Sequence, residues 1–213
     1  MKLYLIRHAQ SEANKIGNIY QGHLDTSLSN YGHKQAKKLA EIFSKNNDFD
    51  LIYSSDLNRS VQTTNYLQKF HYDKKIILDE RLRERNHGEF TGKNRSEKLY
   101  EKLKEKDILL RKAQYGENYF EHRDRINDFL EEVIDNNKSC VIVNHGGSLR
   151  IMLEILLNKI PSTYYGNLNY EINNCGYYEF QIKPKIKLLS NRQFFENLDT
   201  QLEENNGAVK YKK

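Results

Sequence analysis

Short, unbroken apolar runs alternate with helical patterns along this chain as far as about residue 158. The runs are Leu3-Tyr4-Leu5-Ile6, Leu51-Ile52-Tyr53, Ile76-Ile77-Leu78 and Cys140-Val141-Ile142-Val143. Runs of this length and bulk read as strands, the first and the fourth of them buried. Ser29 stands where it can cap a helix whose Ala36, Leu39, Ala40 and Phe43 fall on one face. A second helix follows Ser54-Ser55-Asp56 and turns Val61, Thr64 and Leu67 inward. Helical patterns also cover Lys98 to Lys112, His122 to Ile134 and Leu149 to Leu157, the last opened by Gly146-Gly147 and stopped by Pro161. Alternation of this kind predicts an α/β fold: a three-layer α/β/α sandwich around a mostly parallel central sheet.

Such sheets bind ligands at the carboxyl edge of their strands. Arg7-His8 follows the first run directly. Ser54-Ser55-Asp56-Leu57-Asn58-Arg59 follows the second, Leu82-Arg83-Glu84-Arg85 comes after the third, and Asn144-His145-Gly146-Gly147 follows the fourth. Each has a local explanation. Arg59 can be a surface cation, Glu84 can pair with Arg81 or Arg85, and His145 can cap a helix. Convergence of all four on one edge favours a shared pocket instead.

Phosphoryl transfer suits that pocket. The transferring group spreads negative charge over its equatorial oxygens, so catalysis is mainly positioning and electrostatics. Arginine supplies fork-shaped donors for those oxygens. A neutral imidazole can attack phosphorus and become phosphohistidine. A carboxylic acid can protonate the leaving oxygen and then, as carboxylate, activate water. A helix N-terminus after His145, beginning at Gly146, adds backbone N–H donors.

Leu5-Ile6-Arg7-His8-Ala9-Gln10-Ser11-Glu12-Ala13-Asn14 resembles the signature of the histidine phosphatase superfamily, which includes the phosphoglycerate mutases. The resemblance continues through Leu24-Asp25-Thr26-Ser27-Leu28-Ser29 with Gly32, Gln35 and Ala36. It then takes in Ser54 to Thr63, Leu82-Arg83-Glu84 with Gly88 and Gly92, and Val143 to Gly147, in family order over about residues 1–158. It implies His8 as phospho-acceptor, Arg7, Arg59 and His145 as phosphate clamp, and Glu84 as proton donor and then base. Asn14 is implied as a further phosphate contact, and no metal or other cofactor is implied. Ala9 departs from the pattern, which has Gly there. Gln21 and Gly146 are read as further substrate contacts. Glu117, in Gly116-Glu117-Asn118, resembles a Gly-Glu-Ser segment of phosphatase-type members; substrate contact and a carboxylate at a helix N-terminus are equally open to it.

A mutase must hold the phosphate on its histidine while a phosphoglycerate reorients, so it needs extra cations and a cover against water. His87 stands where mutases have Tyr, and Arg95 where they have Lys. The Arg-Arg pair of the mutases has no counterpart; Arg111-Lys112 is the nearest basic pair. The favoured reading is therefore a phosphatase of small phosphate monoesters. A phosphoglycerate mutase is the alternative, and a non-catalytic phosphate binder the third.

The 213 residues carry a formal charge of +5 without a basic stripe interleaved with aromatics, which leaves nucleic-acid binding without support. No apolar run approaches the roughly 18 residues that cross a membrane. Cys140 and Cys175 belong to no Cys-x-x-Cys motif and suit reduced, buried thiols in the cytoplasm. His23, His33, His71, His87 and His122 have no ligand-like spacing and are assigned to packing or surface. The expected partner is a small phosphorylated metabolite, with a homodimer left open. One domain is expected over 1–198, with 93–136 as a helical insertion over the active site. Glu171 to Ile182 and Ile186 to Leu189 are expected as late strands in an edge hairpin, and 199–213 as a disordered tail.

Overall fold

A computed structural model describes residues 1–45, 48–159, 172–183 and 185–192. Its six strands are β1 (Lys2–Arg7), β2 (Leu51–Ser54), β3 (Lys75–Leu78), β4 (Cys140–Asn144), β5 (Tyr177–Gln181) and β6 (Lys187–Arg192). The helices are α1 (Glu12–Ile16), α2 (Asn30–Phe43), α3 (Asn58–Gln68), α4 (Tyr119–Asp135) and α5 (Gly146–Leu156). The sheet order is β3-β2-β4-β1-β5-β6. The pairings among β1 to β4 are parallel, and β5 is antiparallel to both β1 and β6.

Side chains alternate across a strand, and β1 divides the core accordingly. Leu3 and Leu5 pack with Ile126, Phe129, Leu149 and Met152 of α4 and α5. Tyr4 and Ile6 pack on the other face with Ala36, Leu39, Phe43 and Leu67 of α2 and α3. This is the expected three-layer α/β/α arrangement. Both expected helix faces on that second side hold: Ser29 Oγ caps α2 by accepting from Gly32 N, and Thr64 and Leu67 are buried while Val61 is half-buried.

The parallel register builds the carboxyl edge. Arg7 lies beside Asn144, and Ser54 beside Val143. The ladder runs on past the strand ends, with His8 N donating to Asn144 O at 2.9 Å and Ser55 N to Val143 O at 3.0 Å. His8, Ser55 and His145 therefore emerge side by side.

Two expectations need correction. Lys98 to Lys112 is not a helix: a 3-10 turn over Leu99–Lys102 gives way to irregular chain. Lys98 has φ +51°, and the charged residues beyond it satisfy backbone locally, Glu105 Oε1 accepting from Asp107 N and Asp107 Oδ1 from Leu109 N. Such bonds compete with a helix, and only α4 within 93–136 is an α-helix. The second correction concerns the last strands. Tyr177 starts β5, whereas Asn174 and Cys175 form a turn with Cys175 at φ +61°. The polar stretch after His8 contains α1, opened by a capping box in which Ser11 and Asn14 bond reciprocally. The edge hairpin of β5 and β6 is present. Glu171, Pro161 and the 199–213 tail lie outside the described residues. No described helix is long and apolar enough to cross a membrane.

Gly32, on α2, is set against the strand-to-loop exit of β1. A Cβ there would sit 1.9 Å from Gln10 O. That overlap is with backbone, which cannot step aside without moving the loop after His8. Gly32→Ala is expected to cost about 3 kcal/mol, lowering Tm by roughly 6–12 °C in a thermal melt.

Candidate active site

His8 is buried at the end of β1, and its Nδ1 lies 2.7 Å from the carbonyl of Ala9. A carbonyl only accepts, so Nδ1 carries the proton and Nε2 keeps its lone pair. Burial lowers the His8 pKa well below its ordinary value, and the Arg59 and Arg7 charges push it the same way. The ring is neutral at pH 7. Ala9 is accommodated where the family pattern has Gly: its backbone avoids the left-handed region, its side chain is buried, and its N–H donates to Thr63 Oγ1 at 3.0 Å.

Arg59 projects from the first turn of α3 and is fully buried. Removing a guanidinium from water costs several kcal/mol unless its donors are met. Nη1 donates to Leu24 O and Nη2 to Gly22 O, both at 2.7 Å, and Nε donates to His145 Nδ1 at 3.1 Å. Burial lowers its pKa to about 10, against the opposing charges of Glu84 and Asp25. Arg59 is still a cation at neutral pH, and it is no surface residue.

His145 occupies the cap position of α5 but makes no side-chain cap bond. Its ring lies 5.0 Å from the His8 ring, centroid to centroid. Accepting from Arg59 at Nδ1 leaves the proton on Nε2, which lies 2.8 Å from Ser55 Oγ. Burial, then Arg59 and His8, lower its pKa well below the usual value. Both ring nitrogens are thus bonded within the protein, and direct donation to a phosphate requires one of them to exchange its partner.

Glu84 reaches the same edge after the 3-10 turn Glu80–Leu82. The carboxylate accepts from Arg85 N at 2.9 Å and from Gly147 N, in the first turn of α5, at 2.8 Å. Its sequence neighbour Arg81 instead pairs with Asp79 and Glu132. The space Glu84 occupies exists because residue 147 is glycine: a Cβ there would lie 2.2 Å from Glu84 Oε1. Gly146 lies against Arg7, where a Cβ would be 3.6 Å from Arg7 Nε.

Arg7 Nη1 donates to Ile172 O at 2.6 Å. The turn before β5 grips this segment further, as Cys175 N donates to Arg7 O and Arg7 N to Gly176 O. Asn174 Nδ2 donates to His8 O at 2.8 Å and reaches Asn14 Oδ1 at 3.4 Å. Asn14 also meets Gln21, with Nδ2 3.4 Å from Oε1, and Gln21 Nε2 donates to Ser11 Oγ and Thr26 Oγ1. Asn14 and Gln21 therefore belong to one polar network adjoining His8.

Glu117 is placed differently. Its carboxylate pairs with Arg125 and accepts from Asn86 N at 2.7 Å, so it braces the chain after Glu84. The remaining histidines have packing partners: His23 with Glu84 O, His33 with Tyr66, His71 with Phe43 O, His87 with Tyr100 and His122 with Ser148.

Ser55, Thr63, Arg125 and Asn174 are site-supporting residues that sequence reasoning did not single out. Ser55 stood inside a flagged strand end. Asn174 had no signal, because its turn was read as strand.

A family model of the histidine phosphatase superfamily (branch 1) matches residues 3–191. The chain belongs to this superfamily. Phosphoserine phosphatase 1 of Hydrogenobacter thermophilus is 35% identical to this histidine phosphatase over 185 residues, covering 83% of this chain and 84% of that one. A 2,3-bisphosphoglycerate-dependent phosphoglycerate mutase of Cytophaga hutchinsonii is 28% identical over 199 residues, covering 88% and 92%. Among solved structures, the Entamoeba histolytica phosphoserine phosphatase in complex with 3-phosphoglyceric acid superposes with TM-score 0.75 at 28% identity, covering 91% of this chain and 98% of that one. The superfamily and fold expected from the sequence both stand, and membership supports an enzyme of the phosphomonoesterase kind.

Gly147→Ala tests the fit between α5 and Glu84. It is expected to displace the carboxylate and lower kcat/KM for an alkyl phosphate roughly 100-fold. Circular dichroism should show the fold retained.

Proposed function

We propose that this histidine phosphatase hydrolyses small phosphate monoesters through a phosphohistidine on His8. The observation that carries the reading is the His8 tautomer: Nδ1–H is spent on Ala9 O, which makes Nε2 the nucleophilic nitrogen beside two cations. His8 Nε2 attacks phosphorus and the ester P–O bond breaks. Protonated Glu84 gives its proton to the leaving oxygen. Arg7 and Arg59 stabilise charge on the equatorial oxygens, where preorganised donors act most strongly. His145 holds the Nε edge of Arg59 and joins the clamp when it exchanges a partner. Ionised Glu84 then takes a proton from water, whose oxygen attacks phosphorus. The P–N bond breaks, and His8 and inorganic phosphate are released. Asn14, Gln21 and the Gly146 N–H are read as further contacts to the phosphate or its ester group.

Hydrolysis is favoured over mutase turnover by the state of the nearby cations. A mutase needs guanidiniums for the carboxylate of a reorienting phosphoglycerate. Arg85 instead donates to Glu117 O and Arg111 O and lies 4.4 Å from the Tyr100 ring centroid. Arg95 donates to Ile19 O and lies 5.0 Å from the Tyr20 ring centroid. Phosphoserine is the first ester to test, because relatives of similar length carry that activity in their names. We assign one catalytic domain to residues 1–198, with 93–136 covering the active site. Two free, buried cysteines support a cytoplasmic setting.

Rapid quench of the enzyme with a labelled phosphate ester into alkaline detergent should trap a base-stable adduct that acid then releases, a pattern that Cys or Ser would not give. His8→Ala should abolish both adduct and turnover; a label that survives that change overturns the assignment. Glu84→Gln is expected to lower kcat/KM about 100-fold or more for an alkyl phosphate. With p-nitrophenyl phosphate, whose leaving group needs no proton, the loss should be several-fold only.

A further inference from the structure

Glu84 is anchored twice, and the second anchor is not in its own carboxylate. Arg125, on α4, lies under the chain that delivers it. Nη1 donates to Arg81 O at 2.6 Å and to Arg83 O at 2.8 Å. Nη2 donates to Glu84 O at 2.9 Å and to Glu117 Oε1 at 2.6 Å. Nε donates to Glu117 Oε2 at 3.0 Å. A guanidinium has five N–H donors, and these bonds use them all.

Glu117 completes the device. It precedes the cap residue Asn118 of α4, and its Oε1 accepts from Asn86 N at 2.7 Å. Glu117 N in turn donates to Asn86 O at 3.0 Å. The Arg125–Glu117 pair thus holds carbonyls of residues 81, 83 and 84 and both polar groups of the residue 86 backbone. Residues 81 to 86 carry Glu84 across the carboxyl edge, away from any ladder that would hold them.

We propose that Arg125, oriented by Glu117, is the positioning residue for Glu84 and sets the direction in which its carboxyl group meets the leaving oxygen. This rests on the reading of Glu84 as general acid and base. A lysine cannot replace the fork, since an ammonium has three donors and no fixed plane. Misplacing a catalytic group by about 1 Å can cost roughly 100-fold in rate. The effect should fall where Glu84 works hardest, on esters whose leaving oxygen needs a proton.

The test compares kcat/KM, which reports the first phosphoryl transfer, for an alkyl phosphate and for p-nitrophenyl phosphate. Arg125→Lys is expected to reduce the alkyl value by about tenfold or more and the aryl value by less than about threefold. In a Glu84→Gln background, Arg125→Lys should add no further leaving-group selectivity, as residues acting as a unit are not additive. Equal loss on both esters, or full additivity with Glu84→Gln, would overturn the proposal by reducing Arg125 to scaffold. Should Arg125→Lys fail to fold, Glu117→Gln serves instead: it takes the charge from the fork yet leaves an acceptor for Asn86, and the same selectivity is expected or the proposal falls. Equal loss on both esters in Glu84→Gln alone separates the two failures, because then the acid assignment itself is wrong.

Discussion

Parallel pairing of β1 with β4 is the constraint on which the site depends. It sets Arg7 beside Asn144, so the two histidines that follow leave the sheet together. Slippage by one residue would turn every β1 side chain to the opposite face. Leu3 and Leu5 would exchange layers with Tyr4 and Ile6, and His8 would no longer stand beside His145. Core packing therefore fixes the geometry of this edge as firmly as any polar contact does. The same pairing carries β2, since β4 lies between them, and with it Ser55 and Arg59.

Two charge conditions meet at this edge. Under the proposed mechanism His8 must be neutral, and the groups around it must be cationic. Burial serves both, because the affinities involved differ so widely. It drives the His8 imidazole well below its ordinary pKa, yet leaves Arg59 protonated even after lowering it to about 10. Lysine in place of Arg59 would start from a lower pKa and supply no bond of the Nε kind to His145. The carboxylate of Glu84 adds an opposing charge close to Arg59, which works against the effect of burial on that guanidinium.

The layered fold was legible because buried strands write themselves as continuous apolar runs. The residues at strand ends were legible too, since topology alone brings them to one edge. Arg125 was hidden, because an arginine on an amphipathic helix looks like any solvated cation until its five acceptors are seen. Asn174 was hidden by the propensity of its neighbours: Tyr177, Tyr178 and Phe180 drew the strand reading back across the turn. The helix expected from Lys98 to Lys112 failed for a different reason. Leu99, Tyr100 and Leu103 pack against Tyr20 and Phe90 from a 3-10 turn, and the acidic residues beyond bond nearby backbone instead of letting a helix continue. Glu117 was visible as a motif, while its partner, and so its direction, was not.

The position of β1 in the sheet has a consequence for how the enzyme comes into being. Its two neighbours in the sheet, β4 and β5, come from far along the chain. Lys2 N bonds Ser139 Oγ across 137 residues, and Asn174 reaches the His8 carbonyl across 166. His8 and the turn at Asn174 and Cys175 that locks it are separated by most of the described chain. Contacts of such separation pay their loop-closure cost before they return any stability. Without that turn Arg7 and His8 would lose the grip of Ile172, Asn174 and Cys175, so the site forms only once these distant segments have met.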